Sequence, residues 1–460
     1  MEPREKAFKI ESEKIGFDLK HRQTIKHNIG KYFRSVEKGV NYFSDLDAAK
    51  NTASSIKDYV VNNLDHLLLK FEKNAKANNM EVLWAKTAED VIKQVLAITE
   101  RHKVKAVVKT KSMVSEELEL NKILEENNIK SLETDLGEFI VQLAGERPYH
   151  ILTPAMHKSK EDIAKLFSEK FGTAADASVE ELTKYVRKLL REQFVQADMG
   201  ITGANFLIAD SGSIALTENE GNGLMTVSWP ETQIVIAGFE KIIPELTDLD
   251  LFWPLLSVMG TGQKLTAYNS ILSGPRADDE NDGPTKVYVI LFDGGRSNVF
   301  AEKDHNLALK CIRCGACLNY CPVYQNIGGF TYDTVYSGPI GSVLSMYLDG
   351  SEDTGHLNFA SSLCGKCTDV CPVEIPLHKL LLLNRKKLVE QGNAGFIETK
   401  GYKYFAKYMG SRRKLEKIKS KWKNRAMKSF GKKAWGKRRA PLRFPKESFS
   451  KRYMNNRKDS

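Results

Sequence analysis

The spacing of the cysteines is the feature that most constrains how this chain of 460 residues folds. All seven cysteines lie in two short runs: Cys311, Cys314, Cys317 and Cys321 in the first run, and Cys364, Cys367 and Cys371 in the second. A proline follows the last cysteine of each run. Because thiolates are strong metal ligands, such close spacing predicts that the segment from 311 to 371 folds around bound metal.

The first run has the spacing C-x2-C-x2-C-x3-C-P of bacterial-type ferredoxins, whose fourth cysteine binds the other of two clusters. This pairing rule predicts two iron–sulfur sites. The first is a [4Fe–4S] site with the ligands Cys311, Cys314, Cys317 and Cys371. The second has the ligands Cys321, Cys364 and Cys367, so it has one cysteine fewer than a complete site.

The second site needs a ligand that is not a cysteine, or it holds a cluster of three irons. Ser361 stands where the missing cysteine would fall. The candidate side chains are Ser361, Ser362, His356 and His378. Water or a partner protein are further alternatives, and for each side chain taken alone an ordinary loop role is the simpler interpretation.

Zinc is the main alternative to iron, because Cys-x2-Cys pairs also occur in structural zinc sites. A zinc site closes with four ligands, however, and would not require seven cysteines in this pattern with two Cys-Pro ends. The spacing therefore favours iron–sulfur clusters.

The composition is that of a globular protein, with 42% hydrophobic and 28% charged residues. No stretch approaches the ~20 consecutive apolar residues of a membrane span. The first residues lack the apolar core of a secretory signal, and an odd number of cysteines argues against a disulfide framework. We therefore expect a cytoplasmic protein of two or three domains.

Strands and helices alternate ahead of the cysteines, which predicts an α/β fold with a largely parallel sheet. The predicted strands are 82–85, 104–109, 139–144, 206–210, 213–217, 232–238 and 287–293. The predicted helices are 45–79, 87–102, 115–127, 158–171, 178–196 and 377–390, with further helices between the cysteine runs.

Composition and pattern divide the chain into four parts. Residues 1–44 are an N-terminal extension with little periodicity, and 45–299 form the α/β domain. Residues 300–392 form an α-helical ferredoxin domain, and 393–460 form a basic tail. From Lys400 onward the chain has 23 lysines and arginines but three acidic residues, so this segment carries +20 of a total charge of +11 and the rest carries −9.

The tail interleaves basic residues with Trp422, Phe430 and Trp435. A docking segment for a partner protein, partly disordered, is the first interpretation. Peripheral contact with an anionic membrane at its inner face is the second. Nucleic acid is a distant third, because nothing in the chain resembles a helix-turn-helix or an RNA-binding motif.

Two glycine-rich loops raise the alternative that the α/β domain is itself an enzyme. Glu218 and Glu220 follow a predicted strand, as does the nucleophilic glutamate of coenzyme A transferases. The loop 260–264 could bind an anion on its N–H groups. The lysines that would add positive charge are Lys109, Lys111 and Lys264. Ordinary turns and solvated lysines are the simpler interpretation of these features.

The two cysteine runs closely resemble those of the lactate utilization protein B family, and the segments 197–205, 210–214 and 218–222 are similar to the signature of its α/β domain. The resemblance covers essentially the whole chain. It implies a lactate utilization (LUD) domain, similar to the sugar-phosphate isomerase and coenzyme A transferase fold, followed by a helical ferredoxin domain. The family also has three cysteines at its second cluster.

The resemblance implies an iron–sulfur subunit of the bacterial system that oxidises L-lactate to pyruvate, with lactate utilization proteins A and C as partners. The chain has no flavin or nicotinamide fingerprint, so we expect it to exchange electrons with other subunits and an unidentified acceptor rather than to act as an enzyme alone. The alternatives are another 2-hydroxy-acid or glycerol-phosphate oxidase complex, an anion- or coenzyme-A-dependent enzyme with redox-sensing clusters, and a nucleic-acid-binding sensor.

Overall fold

A computed structural model describes residues 3–392, 396–431, 439–440 and 442–458 of the chain. The chain divides into two compact units, of which the first ends at Lys387 and the second begins at Leu388. Trp435 of the predicted basic tail lies outside the described residues. The predicted boundaries at 44/45, 299/300 and 392/393 stay predictions, because the first unit contains both the α/β part and the cysteine runs.

Two sheets form the centre of the first unit. The strands are β1 (Glu81–Ala85), β2 (Ala106–Lys109), β3 (Lys130–Glu133), β4 (Met199–Thr202), β5 (Phe206–Ile208), β6 (Ser213–Glu218), β7 (Thr232–Gly238), β8 (Ile242–Ile243), β9 (Tyr268–Leu272) and β10 (Lys286–Phe292). The larger sheet has the order β1-β10-β7-β4-β2-β3. All its neighbours are parallel, with Ile234 of β7 opposite Ile201 of β4. The predicted parallel sheet is therefore confirmed.

Helices surround the sheets and form the cysteine-bearing part. Those of the first unit are α1 (Pro3–Gly16), α2 (Leu19–Gly39), α3 (Leu46–Asn62), α4 (Leu64–Ala77), α5 (Ala88–Arg101), α6 (Met113–Glu117), α7 (Leu120–Glu126), α8 (Leu136–Ala144), α9 (Lys160–Phe171), α10 (Val179–Gln196), α11 (Asn222–Ser228), α12 (Leu249–Thr261), α13 (Arg296–Ala301), α14 (Ala316–Asn319), α15 (Pro322–Ile327), α16 (Gly338–Leu348), α17 (Ser351–Thr354), α18 (Lys366–Asp369) and α19 (Leu377–Glu390), which ends just beyond it. Helices between the cysteine runs were predicted, and α15 to α17 confirm them.

The second unit continues with helices. They are α20 (Phe396–Met409), α21 (Arg412–Lys417), α22 (Ser420–Ala426) and α23 (Phe449–Lys458), with a π-helical turn at Met427–Gly431. None of the described helices combines the length and the apolar character that crossing a membrane requires.

The strands of the larger sheet are buried on both faces. On β7, Val235 and Ala237 belong to an apolar cluster with α4, while Ile234 and Ile236 belong to a second cluster with α5 and α7. Burial on both faces is typical of parallel sheets, whose crossover helices cover each side.

The smaller sheet has the order β8-β5-β6-β9. Strands β6 and β9 are antiparallel, with Thr217 opposite Asn269. This pairing holds the loop that follows β6, where the glutamates considered as nucleophiles lie.

The prediction of a strand at 139–144 is wrong, because this segment belongs to helix α8. The Asp135 side chain accepts a hydrogen bond from the Glu138 N–H and caps the helix, and Gly145 ends it with φ +65°. The cap and the terminal glycine decide the structure over the β-branched residues between them. The polar strand β3 just before this cap was not predicted.

Two predicted helices are each interrupted. The segment 45–79 forms α3 and α4, separated at Asn63, and the segment 115–127 forms α6 and α7. Glu119 adopts φ +47° between α6 and α7, which no regular helix allows. The other predicted elements lie within a few residues of described ones.

The N-terminal residues, predicted as an extension with little periodicity, form α1 and α2. Helix α2 buries Ile25, Ile29 and Val36. Ile25 and Ile29 belong to the same apolar core as Cys314 and Cys317. The extension thus packs against the part of the molecule that carries the cysteines.

Candidate metal centres

The first cysteine run folds around a tight turn at Gly315. This glycine has φ +72° and precedes α14, and Arg313 has φ +60°. A Cβ atom built on Gly315 would lie 3.1 Å from Cε1 of His150 and 3.3 Å from Cδ1 of Leu152. Glycine tolerates both the positive φ and the close approach, so the turn depends on it.

The second run repeats this local geometry. Leu363 has φ +53° and Gly365 has φ +83°, and Gly365 precedes α18 as Gly315 precedes α14. Helices α14 and α18 contact each other. A Cβ atom built on Gly365 would meet no described atom within 4 Å, so the second turn is less crowded. The repeat places two cysteine-bearing turns side by side.

The seven cysteines lie in two groups. The quartet consists of Cys311, Cys314, Cys317 and Cys371, which line one cavity together with apolar side chains. The trio consists of Cys321, Cys364 and Cys367, whose thiols are close enough to shift one another's pKa. Both groups match the sets predicted from the spacing, and the structure itself holds no test of what they bind.

Backbone N–H groups point at the sulfur atoms of the quartet. The Arg313 N–H donates to Sγ of Cys311 at 3.4 Å, and the Ile375 N–H donates to Sγ of Cys371 at 3.3 Å. The backbone of Ala316 acts in the same way on Cys314. Such N–H groups stabilise negative charge on a thiolate that binds metal.

Burial opposes thiolate formation in the metal-free chain. It raises the pKa of Cys371 to about 11 and that of Cys367 to about 12, and it also raises the pKa of Cys314. Neighbouring thiols add to the last two shifts by electrostatic repulsion. A metal that binds these groups must therefore displace protons, so loading is coupled to proton release.

The quartet and the trio differ in exposure. Cys314, Cys317 and Cys371 are buried, whereas Cys364 of the trio is exposed. The quartet is therefore an inner site, and the trio reaches the surface of the first unit.

The predicted candidates for the fourth ligand of the trio are engaged to different extents. The Leu363 N–H donates to Oγ of Ser361 at 3.1 Å, and His378 shares a hydrogen bond of 2.7 Å with Thr368. The His356 ring packs edge-on against Phe8 with 5.3 Å between centroids, and Ser362 is exposed. A ligand from this set would have to leave or extend these contacts.

The donor set fits iron–sulfur clusters. Within the part of the chain that the structure describes, no three His, Cys, Asp or Glu side chains converge tightly enough to hold one metal ion. The four quartet cysteines instead surround a cavity lined by Ile151, Ile340 and Val373. Four thiols around an apolar cavity, with N–H groups aimed at their sulfurs, suit a cluster in which each thiolate binds a separate iron.

A buried ionic network lies beside the quartet and is not apparent from the sequence. Glu240 accepts hydrogen bonds from Nε of Arg296 at 2.7 Å and from Nη2 of Arg313 at 3.1 Å. Arg296 also donates to both carboxylate oxygens of Glu117. Although burial alone would raise the pKa of Glu240, the charges of Arg296 and Arg313 lower it to about 2. An arginine between two cysteines was the one available signal.

The glutamates considered as nucleophiles have structural partners. Glu218 accepts hydrogen bonds from the N–H groups of Gly223 at 2.6 Å and Leu224 at 2.7 Å, at the start of α11. Glu220 accepts one from the Leu136 N–H at 3.1 Å, at the start of α8. These contacts give both carboxylates helix-capping roles.

The second glycine-rich loop does not offer its N–H groups to an anion. Gly262 ends α12 with φ +79°, and its N–H bonds the carbonyls of Ser257 and Val258. The lysines considered with it are separate. Lys109 is buried against Glu133 at 2.6 Å, Lys111 is half-buried, and Lys264 is exposed.

Comparisons with protein families agree with this architecture. Residues 68–292 match the LUD domain, and residues 307–375 match the 4Fe-4S dicluster domain. The second match contains both the quartet and the trio, so it indicates iron–sulfur clusters in this part of the chain. The α/β part and the cysteine-bearing part thus each correspond to a known domain.

Relatives match along most of the chain. Lactate utilization protein B of Bacillus licheniformis is 42% identical over 384 residues, which cover 83% of this chain and 80% of the relative. The protein of the same name from Bacillus subtilis is 42% identical over 383 residues, with the same coverage of both chains. A solved DUF162 family protein from Deinococcus radiodurans covers 50% of this chain and 98% of its own, at 12% identity and a TM-score of 0.29. On the extent and identity of the sequence matches, the chain belongs to the lactate utilization protein B family.

Proposed function

We propose that this protein is an iron–sulfur electron-transfer subunit in the oxidation of L-lactate to pyruvate. The quartet binds one [4Fe–4S] cluster, and the trio binds a second cluster whose fourth ligand is not a cysteine. The observation that carries the proposal is the grouping of four cysteines around one cavity with three more beside it. Family membership supports lactate as the substrate of the system.

The residues around each site suit electron transfer rather than substrate binding. When bound, the clusters supply one-electron chemistry. The apolar lining of the quartet cavity excludes water, and the N–H groups aimed at Cys311 and Cys371 stabilise charge on their sulfurs. The exposed Cys364 brings the trio to the surface. We therefore assign electron exchange with a partner to the trio side and the inner position to the quartet.

The oxidation of lactate itself belongs to another subunit in this proposal. The chain has no flavin or nicotinamide fingerprint in its sequence, and its α/β glutamates have capping roles. The resemblance noted from the cysteine motifs makes lactate utilization proteins A and C the expected partners. A complex of this kind would pass electrons from lactate through this chain to an acceptor.

Growth of a deletion strain tests the proposal. We expect the wild-type gene to restore growth on L-lactate, and Cys314→Ala and Cys364→Ala to fail, because each removes a ligand. All strains should grow on pyruvate. Glu218→Gln serves as the control, and it should restore growth on lactate because Glu218 caps a helix.

Two results of this experiment would contradict the proposal. Growth on lactate restored by Cys314→Ala would show that the quartet is dispensable. Loss of growth on glycolate or glycerol phosphate, with growth on lactate retained, would point to a different oxidase complex.

We also propose that helix α20 contacts an anionic membrane surface. Tyr404, Phe405 and Tyr408 are exposed and share one face of the helix, since residues three and four apart are neighbours. Lys403 and Lys407 are exposed on an adjacent face. Aromatic rings beside lysines are typical of helices that lie in the membrane interface.

A further inference from the structure

We propose that the α/β part of the chain raises the reduction potential of the quartet cluster through cationic side chains packed behind Cys311. These side chains, called the cation set, are Lys57, Lys241 and Arg313. The inference rests on the proposed function, since it requires an iron–sulfur cluster at the quartet. Reduction adds negative charge to a cluster, so nearby positive charge favours the reduced form.

Lys57 brings an uncancelled charge into the interior. It lies on α3 with 1% of its surface exposed. Its Nζ donates to the backbone carbonyls of Glu240 at 2.8 Å and Ile242 at 3.2 Å, which carry no formal charge. Burial lowers the pKa of Lys57 to about 7, while Glu240 and Cys311 raise it. Negative charge at the quartet therefore favours the protonated amine.

Arg313 lies within the first cysteine run, between Cys311 and Cys314. Its Nη2 donates to Glu240 at 3.1 Å, and its guanidinium lies 4.2 Å from the ring centroid of Tyr336. Among the described residues, its Nε and Nη1 atoms are buried without a hydrogen-bond partner. Leaving part of a charged group unpaired is costly. An anionic cluster held by the flanking cysteines would offset that cost.

The network as a whole has more positive than negative charges. Its members are the cations Lys57, Lys241, Arg296 and Arg313 and the carboxylates Glu117 and Glu240. Lys310 lies nearby but forms its own pair with Asp58 at 2.8 Å. Four cations and two carboxylates leave a surplus of two positive charges, and Lys57, Lys241 and Arg313 each act electrostatically on Cys311.

The trio has a different environment. Cys364 is exposed, and the nearby Lys366 is also exposed, with its Nζ 5.5 Å from the ring centroid of Tyr320. Water and salt screen charges at such positions. Lys366 is therefore a suitable control for a cation beside a cysteine that is not enclosed with the quartet.

A redox titration followed by EPR tests the inference on the full-length protein purified without oxygen. Lys57→Met and Arg313→Gln each remove one buried charge and keep a side chain of similar length. We expect both variants to lower the midpoint potential of the quartet cluster by about 59 mV or more, which is a tenfold change in the ratio of reduced to oxidised cluster for one electron. Adding Cys364→Ala, which removes a trio ligand, identifies the quartet signal.

Two controls separate charge from packing. Arg313→Lys keeps the charge and should keep the wild-type potential, and Lys366→Met should leave the quartet potential unchanged. If Lys57→Met fails to fold, Arg313→Gln still tests the inference. Unmoved potentials in variants that retain both clusters, or an equal drop in Arg313→Lys, would overturn the inference. Wild-type protein without any iron–sulfur signal after anaerobic reconstitution would overturn the proposed function instead.

Discussion

Glu240 shows how single buried charges join the α/β part to the cysteine runs. Its carboxylate lies between Arg296 at the end of the large sheet and Arg313 of the first run. Because these arginines lower its pKa to about 2 against the effect of burial, Glu240 stays ionised at any ordinary pH. The connection therefore persists across the pH range in which the protein works, and loss of one partner would leave a buried charge unpaired.

The two turn glycines give a matched prediction at this scale. Gly315→Ala forces both a positive φ and contacts with His150 and Leu152, whereas Gly365→Ala forces the positive φ alone. We expect the free energy of unfolding to fall by roughly 2–4 kcal/mol for Gly315→Ala and by roughly 1–2 kcal/mol for Gly365→Ala. Denaturant unfolding of the iron-loaded proteins measures both, and Gly315→Ala should also lose iron. Equal losses in the two variants would show that the crowding at Gly315 has no effect.

At the scale of elements, the sequence predicts the strands that carry long apolar runs and fails where end signals decide. Strands β1, β7 and β10 were predicted because their residues are apolar on both faces. The segment 139–144 is equally apolar, yet Asp135 and Gly145 make it a helix. Strand β3 was missed because Lys130 and Glu133 are polar although Glu133 is buried in an ion pair. Single-segment pattern cannot reveal such pairing.

Helix α20 carries the prediction that belongs to elements. We expect the protein to sediment with vesicles that contain phosphatidylglycerol and to stay in solution with pure phosphatidylcholine. Lys403→Gln with Lys407→Gln should weaken binding roughly tenfold or more at low salt, since each basic residue contributes about 1 kcal/mol. Tyr404→Ser with Phe405→Ser should also weaken it, because apolar contact adds to binding.

Tyr59→Ser is the matched control for the aromatic substitutions. Tyr59 is an exposed tyrosine of α3 in the first unit, so its loss should leave vesicle binding unchanged. Equal sedimentation with both lipids, or full binding by the α20 variants, would contradict membrane contact.

For the whole first unit, the sequence predicts the ligands better than their surroundings. The grouping of seven cysteines follows from spacing, because cluster ligands are local in the chain. The packing of α2, through Ile25 and Ile29, against the core of Cys314 does not follow, since few apolar residues anchor that helix. Lys57 lies far from Cys311 in sequence and reads as a surface lysine, so the charge around the quartet needed the fold.

The most direct test of the account is iron content together with low-temperature EPR of the anaerobically purified protein and two single variants. The account predicts about eight irons per wild-type chain and two interacting reduced signals, or about seven irons with a three-iron signal from the trio. Cys371→Ala should remove the quartet signal and Cys367→Ala the trio signal. Zinc in place of iron after anaerobic reconstitution, or loss of the same signal in both variants, would contradict it.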